Sequence, residues 1–240
     1  MFGTVWWERT RQATARASVL PGEGRVAVPE GMEGFMVGEK GYELAFEDTF
    51  DGDDLDEARW LPYYLPQWSS REASAARYRL GDGFLRLVIE ADQPPWCPEF
   101  GGETRVSSLQ TGVFAGPSAE ICICEIFGRN VTAGKVGVGM GLRPFGDPTI
   151  RDEFSVEAIA IDAREFHLYA AEWTPEQVAF FVDHRLVKTV EQSPSYPMQF
   201  MLGIYEFPDD GQFTQPAHPY PKQFIVDYFR GYRPTASQPA

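Results

Sequence analysis

Glu120 and Glu125 stand in AEICICEIFG (Ala119 to Gly128), a run whose isoleucines and cysteines read as a β-strand. Strand side chains alternate faces, so this odd offset sends the two carboxylates to opposite sides. Glu125 would then share a face with Ile121 and Ile123, and a charge on an apolar face is costly. One β-bulge between the glutamates removes the conflict, because a bulge inserts a residue and resets the parity. With the bulge, the two Cα atoms lie roughly 13 Å apart, about four strand steps. Side chains leaning toward each other then bring the carboxyls to about 5–5.5 Å, the separation for double displacement at an acetal carbon. One carboxylate attacks and the other protonates the leaving oxygen. The plainer alternative is that Glu125 ends the strand and faces water.

Such a pair needs a strand framework around it. The chain has 240 residues, with 18 Phe, 10 Tyr, 6 Trp, 19 Pro and 23 Gly, which favours short strands joined by turns over long helices. Strand candidates follow one another from Tyr42: YELAFEDTF, the hairpin RYRLGDGFLRLVIEAD, SSLQTGVF, EICICEIF, KVGVGMGL, FSVEAIAI and FHLYAAEW. VAFFVDHRLVKTVE, read as a hairpin turning at Asp183-His184-Arg185, MQFMLGIYEF and FIVDYFRGYR complete the series. Their spacing suits an all-β sandwich. Residues 1–41 carry Gly/Pro punctuation and little periodicity, and read as a partly disordered extension; residues 42–240 read as one domain.

The charge and cysteine content exclude several classes. The net charge of −14 argues against a nucleic-acid partner and against docking on anionic membranes. No apolar run reaches transmembrane length. Three cysteines, Cys97, Cys122 and Cys124, give no disulfide framework, since Cys122 and Cys124 are two apart on one strand. The start of the chain shows no export signal, so the expected location is the cytoplasm, or outside the cell if the true start lies elsewhere. DGDDLD lacks the glycine and closing glutamate of a helix-loop-helix calcium loop.

Taken together, the strings resemble glycoside hydrolase family 16, the β-glucanase, laminarinase and galactanase group. Its signature, E-x-D-x-x-E in the bulged form, is matched by Glu120-Ile-Cys122-Ile-Cys-Glu125. FEDTFDGDDLDEARW, GDGFLRLVIE, FHLYAAEWTPEQVAFFVDHRLVKTV, SPSYPMQFMLGIYEF and FIVDYFRGYRP resemble further strands of the family, so the likeness runs from about Tyr42 to Pro234. The resemblance implies an all-β sandwich of jelly-roll type, concanavalin A-like, with a concave face for a polysaccharide or oligosaccharide. It implies Glu120 as nucleophile, Glu125 as acid/base, no cofactor, and at most a structural calcium near Asp227. A monomer is expected. Substrate-binding candidates are Tyr205, which aligns with a cleft aromatic, and Trp68, in the loop LPYYLPQWSSRE beside Tyr63 and Tyr64. Trp96 and Phe100 on PPWCPEF are further loop aromatics. His167 and Trp173, on one face of FHLYAAEW, are also candidates, with a hydrogen-bonded structural histidine the favoured reading of His167.

Two departures stand against the family pattern. Cys122 replaces the middle Asp, which orients the nucleophile in the family, and a thiol is a weak hydrogen-bonding group. A reactive Cys122 is disfavoured, because no Lys or His lies near it in sequence. Gly203 replaces a frequent Asn. Only seven residues, Val113 to Ala119, join SSLQTG to the signature strand, where the family has several strands, so the sandwich is expected to be short of some strands, with exposed edges. Two other readings therefore stay open: a carbohydrate-binding protein without turnover, and a truncated inactive homologue.

Overall fold

The structure, a computed structural model, describes residues 4–13 (as backbone), 41–97, 103–113, 118–208 and 220–235. The remainder of the N-terminal extension, Phe100 and the middle of the Val113–Ala119 link lie outside the described residues. In chain order the strands are β1 (Thr4–Ala13), β2 (Tyr42–Asp48), β3 (Tyr78–Gly81), β4 (Phe84–Ile89), β5 (Arg105–Gln110), β6 (Glu120–Glu125), β7 (Val131–Thr132) and β8 (Lys135–Arg143). They continue with β9 (Ser155–Ile159), β10 (His167–Trp173), β11 (Val178–Val182), β12 (Arg185–Val190), β13 (Met201–Glu206), β14 (Lys222–Val226) and β15 (Phe229–Pro234).

All the strand pairs are antiparallel. Nine strands form one sheet in the order β12-β11-β10-β1-β14-β4-β3, with β15 pairing β1 and β2 pairing β15. The facing layer is split. β13 pairs with β5 in one piece, and β6, β7 and β9 all pair with β8 in another. Contacts of β4 with β5 and β13, and of β10 and β12 with β6 and β8, close the sandwich. One apolar core runs between the layers and includes Leu85, Leu109, Val138, Met140, Tyr169 and Phe180, all at most 1% exposed. Trp60, fully buried, seals the lower end, its Nε1 donating to Asp48 Oδ2 at 2.7 Å and its ring set edgewise on Phe46 and Phe229.

The split agrees with the short Val113–Ala119 link: among the described residues, β6 has a hydrogen-bonded neighbour on one side only. Thr4–Ala13 adds something the N-terminal pattern did not reveal. This strand pairs with β10 along one edge and with β14 and β15 along the other, ahead of the boundary drawn at Tyr42. Two tight turns follow from sequence. Asp82-Gly83 and Asp183-His184 all have positive φ, the conformation a two-residue hairpin needs for its strands to twist correctly, so Arg185 belongs to β12 rather than to the turn.

Candidate active site

β6 carries the bulge. Cys122 pairs with Gly141 and Glu125 with Gly139, so three steps on β6 match two on β8. Ile121, Ile123, Cys124 and Ile126 all pack against the core, which means Ile123 and Cys124 together occupy one turn of the alternation. Glu125 is thereby returned to the face of Glu120. The two carboxylates meet the same guanidinium: Arg143 Nη2 lies 3.0 Å from Glu125 Oε2, and Arg143 Nε lies 4.0 Å from Glu120 Oε2.

β8 is built to receive them. Its residues alternate Val136, Val138, Met140 and Leu142, all fully buried in the core, with Gly137, Gly139, Gly141 and Arg143 on the opposite face. That bare face is filled from the segment before β9. A Cβ on Gly139 would run into the Phe154 ring and come within 3.3 Å of Glu125 Cβ. The Phe154 ring in turn supports Arg143, whose guanidinium carbon sits 3.8 Å from the ring centroid. Lys188 of β12 staples this segment, its Nζ donating to Met140 O (3.2 Å), Glu153 O (2.6 Å) and Ser155 Oγ (2.6 Å). The entry to β6 is also tied. Ala119 N donates to the Tyr196 hydroxyl at 2.6 Å, and that hydroxyl donates to Asp147 Oδ2 at 2.8 Å.

The electrostatics separate the groups. Loss of solvent raises the pKa of Glu120, Arg143 opposes that rise, and the charge of Glu125 adds to it. The side chain of Glu120 keeps 46% of its surface open, so the wall behind it does the desolvating. Burial pushes the Cys122 thiol well up, and both glutamates push it further. Its Sγ faces Gly139 O at 3.7 Å. Cys122 is therefore a neutral thiol turned to the backbone, not a thiolate nucleophile. Among the described residues no group of three or more His, Cys, Asp or Glu side chains is arranged to hold a metal ion.

Aromatic side chains approach from β13 and from the loop ahead of the short helix Arg71–Ser74. Tyr205, 40% exposed, stands edgewise to Tyr64, ring centroids 5.5 Å apart, and stacks with Phe207 at 6.5 Å. Burial of its hydroxyl raises the Tyr205 pKa well above the usual phenol range, with Tyr64, Glu120 and Glu125 adding. The same causes, burial and then the charge of Glu120, raise Tyr64. Gly203 explains how Tyr205 fits: a Cβ there would come within 2.8 Å of the Tyr205 hydroxyl. The space that a side chain at 203 would fill holds the end of the tyrosine. Trp68 is 67% exposed on the loop that carries Tyr64, and that loop is pinned by Cys97 Sγ donating to Trp68 O and Ser69 Oγ donating to Trp96 O.

His167 and Trp173 have different posts. Their face of β10 is the face of Tyr169 and Ala171, which points into the sandwich. His167 Nδ1 bonds Asp183 Oδ2 at 2.8 Å and Nε2 bonds Asp162 O at 3.0 Å, so both ring nitrogens hold the β11–β12 turn and its neighbour. Trp173 packs on the core and donates Nε1 to Ser193 Oγ at 2.8 Å and Pro194 O at 3.0 Å. The geometry gives His167 the structural role that was the favoured reading from sequence, and gives Trp173 a structural role in place of the sugar contact.

Sequence reasoning passed over Arg143 and Phe154. The alternating glycines of KVGVGMGL were the available signal, since a strand face stripped of side chains asks what fills it.

The model of glycosyl hydrolases family 16 matches residues 108–215, a span that includes both glutamates and Arg143. Sequence comparison with curated proteins gives no significant match. A GlcNAcα1-4Gal releasing endo-β-galactosidase from Clostridium perfringens is similar in structure, with a TM-score of 0.71 and 26% identity over 83% of this chain. The chain spans 64% of that structure's length. The laminarinase from Rhodothermus marinus (TM-score 0.54, 20% identity) covers 81% of this chain, which spans 98% of it. The catalytic domain of an endo-1,3-β-glucanase from Thermotoga petrophila RKU-1 (TM-score 0.59, 14% identity) likewise covers 81%, and this chain spans 99% of it. These last two establish the shared jelly-roll fold.

Proposed function

We propose, from the match of residues 108–215 to family 16 glycosyl hydrolases, that the chain is a retaining glycoside hydrolase of a β-linked polysaccharide or oligosaccharide of glucan or galactan type. The observation that carries the reading is the bulge that turns Glu125 back to the face of Glu120. Glu120 attacks the anomeric carbon while Glu125 protonates the departing oxygen, forming a glycosyl-enzyme. Glu125 then removes a proton from water, which attacks the same carbon and frees Glu120. Tyr205 and Trp68 offer ring faces to the sugars. The similarity to the endo-β-galactosidase favours the galactan type. The net charge of −14 supports a neutral glycan over nucleic acid or an anionic membrane, and a monomer is the working state. The catalytic domain comprises residues 42–240 together with the strand Thr4–Ala13, which pairs into its larger sheet.

Cys122 favours a second reading, glycan binding without turnover, because its thiol faces Gly139 O and gives Glu120 no strong hydrogen bond. Reducing-sugar release from laminarin, lichenan and agarose separates the two. Hydrolysis by the native protein and its loss in Glu120→Gln support the hydrolase. Release that persists in Glu120→Gln removes Glu120 from the nucleophile's role. Calorimetric glycan binding with no release supports the binding protein.

A further inference from the structure

We infer that Arg143 is a positioning residue of the site, its guanidinium braced on Phe154 so as to hold Glu120 ionised and Glu125 aimed into the cleft. The inference rests on the hydrolase reading for its purpose, though not for its test. Its basis is placement. Arg143 sits opposite Glu120 in the β6–β8 register, and the bulge brings Glu125 opposite Gly139 on the same face. One guanidinium thus reaches both carboxylates, at 3.0 Å and 4.0 Å.

Two guanidinium nitrogens face the two carboxylates. Nη2 donates to Glu125 Oε2 at 3.0 Å. Nε is buried and has no hydrogen-bond partner among the described residues, while Glu120 Oε2 is the carboxylate oxygen in front of it. A small shift of Glu120 toward Arg143 would complete that bond. The ring of Phe154 packs against the guanidinium, and Lys188 holds the residues on both sides of Phe154, through Glu153 O and Ser155 Oγ. The groups facing Glu120 are Arg143 from β8, Glu125 and Cys122 from β6, Tyr64 from the loop and Tyr205 from β13. Arg143 is the cation in that set. Cys122, between the glutamates, is neutral and turned to the backbone, so it supplies no charge.

The consequence is specific. Two carboxylates on one cleft face repel each other, and a fixed cation between them lets Glu120 stay charged while Glu125 exchanges its proton. To take a proton, Glu125 gives up part of its pairing with Arg143, and the guanidinium is then left to Glu120.

The test is a carboxyl carbon NMR titration of the full chain, with Glu120 assigned from its absence in Glu120→Gln. In Arg143→Met, or in Arg143→Gln where the methionine variant folds poorly, Glu120 should take up its proton about one pH unit or more higher than in the native protein. Arg143→Lys keeps the charge and should return most of that shift. An unchanged Glu120 midpoint in the neutral variants overturns the inference, whether or not any glycan is cleaved. Where turnover is measured, the acid limb of kcat/KM should move up with the midpoint while KM stays near native. A rise in KM alone, with the pH limb unmoved, would assign Arg143 to substrate binding and reject the positioning role.

Discussion

Glu120 binds its proton more tightly in the fold than in the unfolded chain, because partial burial removes water, against the opposing charge of Arg143, and Glu125 adds like charge. Between the unfolded and folded values the native state holds more protons, so stability falls as pH rises through that window and the deficit remains above it. Glu120→Gln has nothing to ionise. It should unfold at a higher temperature than the native protein at pH 7.5, and at nearly the same temperature below about pH 4, where both carry a neutral group. Calorimetry at the two pH values checks the sign. With 46% of the side chain in solvent the difference is modest. Gly203→Ala probes the neighbouring aromatic. Its Cβ would meet the far end of the Tyr205 ring, which can swing aside, so stability should change by less than about 1 kcal/mol. The displaced Tyr205 should raise KM by roughly threefold or more with kcat little altered, the pattern of lost uniform binding. Equal KM in the two proteins would take Tyr205 out of the sugar path. The two glutamates were legible because charge in an apolar strand is expensive and had to be explained. Arg143 was not, because 17 residues of turn and strand lie between Glu125 and its partner, and only the register joins them.

At the level of the element, parity was the readable quantity. The offset between Glu120 and Glu125 required either a bulge or a strand end, and β6 contains the bulge. KVGVGMGL was legible as a strand from its buried Val, Met and Leu, yet its glycine face gave no hint of what lies on it. Phe154 and the carbonyl of Glu153 occupy that face, from a segment with no regular structure of its own. Gly141 shows how close the approach is. Its φ is +137°, and a Cβ would strike Glu153 O and lie 2.8 Å from Phe154 Cα, both backbone. Gly141→Ala should therefore cost about 3 kcal/mol or more, from strain and from displaced backbone together. Urea unfolding measures it, and a loss below about 1 kcal/mol would mean that the Glu153–Phe154 segment is free to withdraw. His167 shows the opposite limit of sequence reasoning. Alternation placed it with Tyr169 and Trp173, but whether that face met the cleft or the core depended on which sheet lay above it.

For the whole molecule, the described residues form one nine-stranded layer and one divided layer, in keeping with the short Val113–Ala119 link that was visible in the sequence. The contribution of Thr4–Ala13 was not, because a single strand without a hairpin partner leaves no local pattern to identify its neighbours. Its place in the sheet makes a strong prediction. Removing residues 1–13 strips β10 on one side and β14 and β15 on the other of their shared neighbour. The shortened chain should lose its cooperative thermal transition by circular dichroism, and an unchanged transition would show the strand to be dispensable. With the sheet intact, the divided layer brings Tyr205 of β13 close enough to Glu120 of β6 for the carboxylate to act on its hydroxyl. The stereochemistry of the product tests the nucleophilic role of Glu120 most directly. Proton NMR during the first minutes of hydrolysis should show the β-anomer released before mutarotation, with none formed by Glu120→Gln. First release of the α-anomer would contradict a nucleophilic Glu120 and, with it, the bulge-built pair at the centre of the site.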